Sequence, residues 1–165
     1  YGMGANAFAK TSGLSFAEAK KFIEKYFNNF SKIKHWHEEI KAQARKLGYI
    51  ANLNGRRRWL LNATSMFSRE AAEADRAAIN MPIQSLNADI IKMAMVKISD
   101  EIIKRKWQDS VKMLLTIHDE LLFEISEDII REATVVIKKI MESIYELEVP
   151  IKVSVKIGKS WGEMR

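Results

Sequence analysis

Cysteine is absent from this chain. Its absence excludes a disulfide framework and any thiolate metal site. No apolar stretch approaches the ~20 residues needed to span a bilayer, and no signal peptide opens the sequence. The expectation is a cytoplasmic protein with no membrane partner. Internal repeats, low-complexity tracts and disordered linkers are also missing. So are a Gly-rich phosphate loop of the Walker type, a nucleophile elbow and a His-Glu-x-x-His zinc helix. What remains is 165 residues, enough for one domain or parts of two, with 47% hydrophobic and 29% charged residues. The net charge of +6 and pI of about 9.5 favour a polyanionic partner such as nucleic acid, or else a Lys-rich solvated surface.

The pattern along the chain is helical first. Ser15 is placed as an N-cap with Glu18 at the capping-box position, opening a helix to about Asn28. A second helix is expected from about Ser31 to Leu47, ended by Gly48. Tyr49 to Leu61 reads as a hairpin turning at Asn54-Gly55, with Arg56-Arg57-Arg58 directly after the turn. Helix resumes from about Ser65 to Ile79, is expected to break at Asn80-Met81-Pro82, and continues from Ile83 to about Lys106. A second hairpin lies at roughly 111–125, followed by a helix over about Glu127 to Glu146. Ile151 to Ile157 alternates apolar and polar residues, the pattern of a half-exposed strand. This order defines an α+β fold with an antiparallel sheet covered on one face by helices.

The second hairpin carries the strongest chemical signal. Two apolar runs rich in Leu, Ile and Phe, Met113-Leu114-Leu115 and Leu121-Leu122-Phe123-Glu124-Ile125, flank Thr116-Ile117-His118-Asp119-Glu120. Buried strands would hold His118, Asp119 and Glu120 at a rigid tip, where adjacent carboxylates bind a hard divalent cation through oxygen. Such a cation is what phosphoryl transfer needs. A solvated turn carrying acidic residues is the plain alternative. Two-metal chemistry needs a second, facing Asp. Asp75, Asp89 and Asp100 fall on helices, while Asp109 and Asp128 flank elements, so the partner is expected outside this chain.

A second signal lies on the long helix. Arg76, Asn80 and Gln84 are four apart and Asn87 is three further on, a polar stripe within a very apolar stretch. Either it faces solvent, or it faces a ligand rich in acceptors. The minor groove of duplex DNA offers purine N3 and pyrimidine O2 at every base pair. The arginine triplet fits a phosphate grip or a solubilising turn equally. His35 and His37, two apart on a helix, point to different faces and share no metal.

These segments together resemble the family A DNA polymerases, the bacterial DNA polymerase I type, over essentially all 165 residues. Tyr1-Gly2-Met3 resembles the end of the family's motif B helix, and Asn54 to Leu60 its Gly-Arg-Arg hairpin. Arg76 to Gln84 with Ala88 to Lys92 resembles the segment that tracks primer–template, and His118-Asp119-Glu120 resembles motif C. Ser85-Leu86-Asn87 departs from the family's usual Gly-Thr-Ala.

The resemblance implies a DNA-directed DNA polymerase of DNA replication and repair, a nucleotidyltransferase acting on primer–template DNA with deoxynucleoside triphosphates and Mg²⁺. Asp119 would be one of two Asp ligands of the metals, with Glu120 beside them and His118 at the primer end. Arg76, Asn80 and Gln84 would face the primer–template, and Tyr1 the templating base. Residues 1–60 would be the last part of a helical fingers domain, and 61–165 the palm, whose antiparallel sheet bears the catalytic hairpin. The chain does not begin with Met and reads as a fragment of a longer polymerase of bacterial or viral source, whose N-terminal part would be its partner. Alone it is expected to extend no primer. The competing expectation is a non-catalytic duplex-binding module derived from a polymerase.

Overall fold

A computed structural model describes residues 2–164. Tyr1, expected near the templating base, lies outside the described residues. The described chain has the α+β composition expected, with two antiparallel β-hairpins among five α-helices. Residues up to Leu86 form one compact unit and residues from Asn87 onward form another. No helix among the described residues is long and apolar enough to cross a membrane.

The first unit opens with α1 (Ala5–Ser12), which the sequence reading did not anticipate. It is short and has no buried residue of its own. Phe8 supports it by packing on Phe22 of α2 (Phe16–Asn29), with ring centroids 5.1 Å apart. The capping box at the start of α2 forms as expected. Ser15 N donates to Glu18 Oε2 at 2.9 Å, and Glu18 N donates to Ser15 Oγ at 3.3 Å. The Ser15 hydroxyl, donating to the same carboxylate, holds Glu18 below its ordinary pKa. Helix α3 (Ser31–Leu47) ends at Gly48, whose φ of 74° is the left-handed cap that glycine adopts without strain.

Strands β1 (Tyr49–Ala51) and β2 (Arg57–Trp59) pair antiparallel. The turn differs from a simple two-residue Asn-Gly connection. Asn52 organises a wider loop, its Oδ1 accepting from Asn54 N and Arg56 N, both at 3.0 Å. Gly55 sits within it at φ 78°. The core beneath joins Ala44, Ile50, Leu60, Ala63, Ala74, Ala78 and Met81. Arg45 grips Asp75 with two bonds of 2.6 and 2.8 Å from Nη2.

Helix α4 runs unbroken over Ser68–Lys104 with Pro82 inside it, which corrects the expected interruption at residues 80–82. Proline removes one helical donor and costs about 3 kcal/mol in a helix interior. The cost is met by tertiary packing, because Ala78, Ile79 and Met81 on the adjoining turn are all buried.

In the second unit, β3 (Val111–Ile117) and β4 (Glu120–Ile125) form the expected second hairpin. Helix α5 (Ile130–Ser143) is shorter than the span read from sequence. The core comprises Ala94, Ile98, Val111, Ala133 and Ile137, with Met113, Leu121, Phe123 and Ile125 packed against it. Arg105 fastens the end of α4 to α5 by bonding Glu101 at 2.6 Å and Glu132 at 2.9 Å. Its guanidinium holds the Glu101 carboxyl below the usual range.

The segment 151–157, expected as a strand, forms no ladder with any described residue. Alternation specifies which side chains face inward but not which strand supplies hydrogen bonds. Val153 N donates instead to Glu142 Oε1, at 2.9 Å.

The two cores predict a clear split in mutational sensitivity. Ile50→Ala and Ile98→Ala, each removing a fully buried side chain, should each cost about 2–5 kcal/mol in urea denaturation. Leu53→Ala, at a position 75% exposed, should change stability by less than about 0.5 kcal/mol.

Candidate active site

The site is built on the β3–β4 hairpin. Met113 pairs with Phe123 and Leu115 with Leu122, so Leu114 is an extra residue, a β-bulge. Before the bulge, Val111 and Met113 face the core opposite Ile125 and Phe123. Beyond it, Thr116 pairs with Leu121, while Leu115 and Ile117 turn to the opposite face. The sequence reads this run as wholly buried. The bulge corrects that, leaving Leu114 and Leu115 each 49% exposed.

The strands close through Ile117↔Glu120, which leaves His118 and Asp119 as a two-residue loop. Tight hairpin loops need positive φ at one or both central residues, and glycine or asparagine normally supplies it. Here His118 takes the left-handed conformation, with φ 55°. For a residue with a Cβ this costs on the order of 1–2 kcal/mol. His118, Asp119 and Glu120 are all exposed, so both carboxylates project from a short turn anchored on a packed core.

The donor set suits a hard cation such as Mg²⁺. That ion takes oxygen ligands and is usually held by one or two carboxylates together with substrate phosphates and water. Among the described residues no group of three or more His, Cys, Asp or Glu gathers to form a complete protein cage. Asp75, engaged by Arg45, and Asp89, buried within α4, are committed elsewhere. A cavity of about 320 Å³ beside the tip is lined by Asp119, Glu120, Phe123, Lys138, Lys152 and Trp161, among others. The lysines come from α5 and the C-terminal segment, and no sequence motif marks them.

The polar stripe of α4 has its own geometry. Arg76 and Gln84 are exposed and Asn80 is half-buried, while Ala74, Ala78 and Met81 occupy the buried side of the same turns. The stripe therefore faces outward, which a solvated face and a face against an acceptor-rich ligand share. Asn80 Nδ2 donates back to Arg76 O at 2.9 Å, which ties its amide to the helix. Arg76, Asn80 and Gln84 belong to the first unit, whereas the hairpin tip belongs to the second.

The fold class and an exposed acidic hairpin tip define a candidate phosphoryl-transfer domain. Residues 1–163 match DNA polymerase family A, and the chain belongs to that family. It is 38% identical to the thermostable DNA polymerase I of Thermus filiformis over all of this chain and 19% of that protein. It is 41% identical to a thermostable DNA polymerase I of Thermus thermophilus, over 98% of this chain and 19% of the relative. The DNA polymerase I of Mycobacterium leprae is also 41% identical, over 98% of this chain and 18% of its own length. Among solved structures, the chain resembles the POL domain of Pol1 from M. smegmatis in complex with DNA primer-template and dNTP. The TM-score is 0.92 at 38% identity, covering 99% of this chain and 29% of that one. The chain thus spans about a fifth of the length of the relatives it matches.

The left-handed residue at the tip gives a direct test. His118→Gly keeps positive φ at no steric cost, whereas His118→Ala keeps the strain and loses the imidazole. In urea denaturation the glycine variant should be more stable than the alanine variant by about 1 kcal/mol.

Proposed function

We propose that this chain is the closing part of the fingers, residues 1–60, and most of the palm, residues 61–165, of a template-directed DNA polymerase. One observation carries the reading: in a family A chain, Asp119 in a two-residue turn and Glu120 at the start of the next strand stand exposed on a hairpin fixed to a buried core. In the reaction, the primer 3′-hydroxyl oxygen bonds to the α-phosphorus of a deoxynucleoside triphosphate. The bond to the bridging oxygen breaks, and pyrophosphate leaves. Mg²⁺, when bound, supplies the positive charge that offsets charge developing on the oxygens.

The chain's own residues divide the remaining work. Asp119 is one carboxylate ligand of the metal site, and the second Asp belongs to the rest of the polymerase. Glu120 adds negative charge beside that site. His118 donates from its ring to the primer end. Arg76 and Gln84, projecting from α4, hydrogen-bond to minor-groove acceptors that every base pair shares, so they hold duplex of any sequence. Asn80, its amide partly spent on the Arg76 carbonyl, contributes mainly by fixing that turn.

A non-catalytic duplex-binding module is the second reading, favoured by the outward-facing Arg76 and Gln84, which can grip a duplex without a metal. The two readings separate cleanly in a chimera in which this chain replaces the matching segment of the Thermus thermophilus relative. The chimera should extend a primer, and Asp119→Ala should slow extension by at least about 10²-fold with duplex affinity unchanged. Arg76→Ala should weaken duplex binding in both the chimera and the isolated chain. Extension unaffected by Asp119→Ala would sink the catalytic reading and leave the binding module.

A further inference from the structure

The arginine triplet and its hairpin have no part in the proposed chemistry. Cross-strand pairing sets Tyr49 opposite Trp59 and Ala51 opposite Arg57 on one face of the β1–β2 ladder. Ile50, on the other face, is fully buried. The face bearing Tyr49, Arg57 and Trp59 therefore turns outward.

Trp59 is 62% exposed. Its ring meets Tyr49 in an edge arrangement, with centroids 5.2 Å apart and planes at 62°. The Arg57 guanidinium lies 4.7 Å from the centre of the Tyr49 ring. Tyr49 is thereby held between a cation and an indole, and the indole stands against a fixed neighbour with much of its surface in water. The stretch of chain that carries the hairpin has charge of one sign. Between Glu39 and Glu70 the sequence holds seven Lys and Arg residues and no Asp or Glu. Arg57 and Arg58 make no ion pair among the described residues.

An exposed indole ring beside unneutralised guanidinium groups matches an unpaired nucleotide strand. Such a strand offers base faces for stacking and phosphates for the cations. Along its length a duplex presents only base edges and backbone, which leave the indole without a partner. We propose that Tyr49, Arg57 and Trp59 form a stacking platform for single-stranded DNA. The choice of DNA over RNA rests on the polymerase reading, and the corresponding strand is template not yet paired.

The test measures anisotropy of a fluorescein-labelled short oligo(dT), with a blunt duplex and an oligo(U) as parallel ligands, on the 165-residue chain. Trp59→Ala should weaken oligo(dT) binding about tenfold and change duplex affinity less than about twofold. Trp59→Phe should retain most of the affinity. Trp59→Leu, which keeps apolar bulk without a ring, should lose it and serves if the alanine variant melts early. Arg57→Gln should lower the salt dependence of oligo(dT) binding by about 0.7 in log–log slope. Equal losses on duplex and single strand would overturn the proposal. So would an effect of Arg57→Gln with none of Trp59→Ala or Trp59→Leu, and so would tighter binding of oligo(U) than of oligo(dT). This assay reads strand binding alone, with no primer, triphosphate or metal present. Failure of the polymerase reading would therefore appear in primer extension and not in this assay.

Discussion

One long helix supplies buried side chains to both cores, and the rest of the structure depends on that constraint. Ala74, Ala78 and Met81 of α4 enter the first cluster, and Ala94 and Ile98 enter the second. The spacings of four and three residues keep each set on one side of its own turns. Small residues at Ala74, Ala78 and Ala94 let neighbouring elements approach closely. The opposite side is then released from packing and carries Arg76 and Gln84. The apolar pattern of α4 thus has a functional corollary, because burying one side fixes which polar groups face outward. Pro82 is tolerated within the same arrangement, since losing one backbone bond costs less than abandoning the packing around it.

The acidic tip depends on a similar chain of causes. Val111, Met113, Phe123 and Ile125 anchor the hairpin on α4 and α5. The bulge at Leu114 re-aims the outer half of the ladder. A two-residue closure then forces a left-handed backbone on a residue that is not glycine. Strain of this kind persists only where surrounding packing over-determines it, and it concentrates at functional positions. Asp119 is placed by the turn and Glu120 by the ladder, so two adjacent carboxylates are held by different means. The chain belongs to DNA polymerase family A, and the proposed function assigns phosphoryl transfer to this tip.

Much of this was legible in the amino-acid sequence, and the exceptions have physical reasons. The capping box at Ser15 and Glu18, the Gly48 terminus and the two apolar runs around His118 are local signals, and each formed where it was read. The bulge was not legible, because Met113-Leu114-Leu115 are all apolar and no period distinguishes the extra residue. Helix α1 was hidden by its brevity, since its support comes from Phe22 rather than from its own pattern. The unbroken helix at Pro82 and the unladdered segment 151–157 failed for one shared reason: each outcome is decided by neighbours distant in sequence. The Tyr49–Trp59 face became visible only once the register of β1 and β2 was known, although its arginines were conspicuous from the start.

The hairpins carry a further consequence, for the time course of folding. Both ladders join strands adjacent in sequence, through the short loops after Ala51 and Ile117. Closing such loops sacrifices little chain entropy. Folding dominated by local contacts is fast, and it leaves unpaired strands exposed only briefly. On a ribosome, which releases residues far more slowly than a hairpin zips, each ladder can close almost as soon as its second strand emerges. The left-handed backbone at His118 is therefore secured last, once α5 completes the packing beneath the ladder.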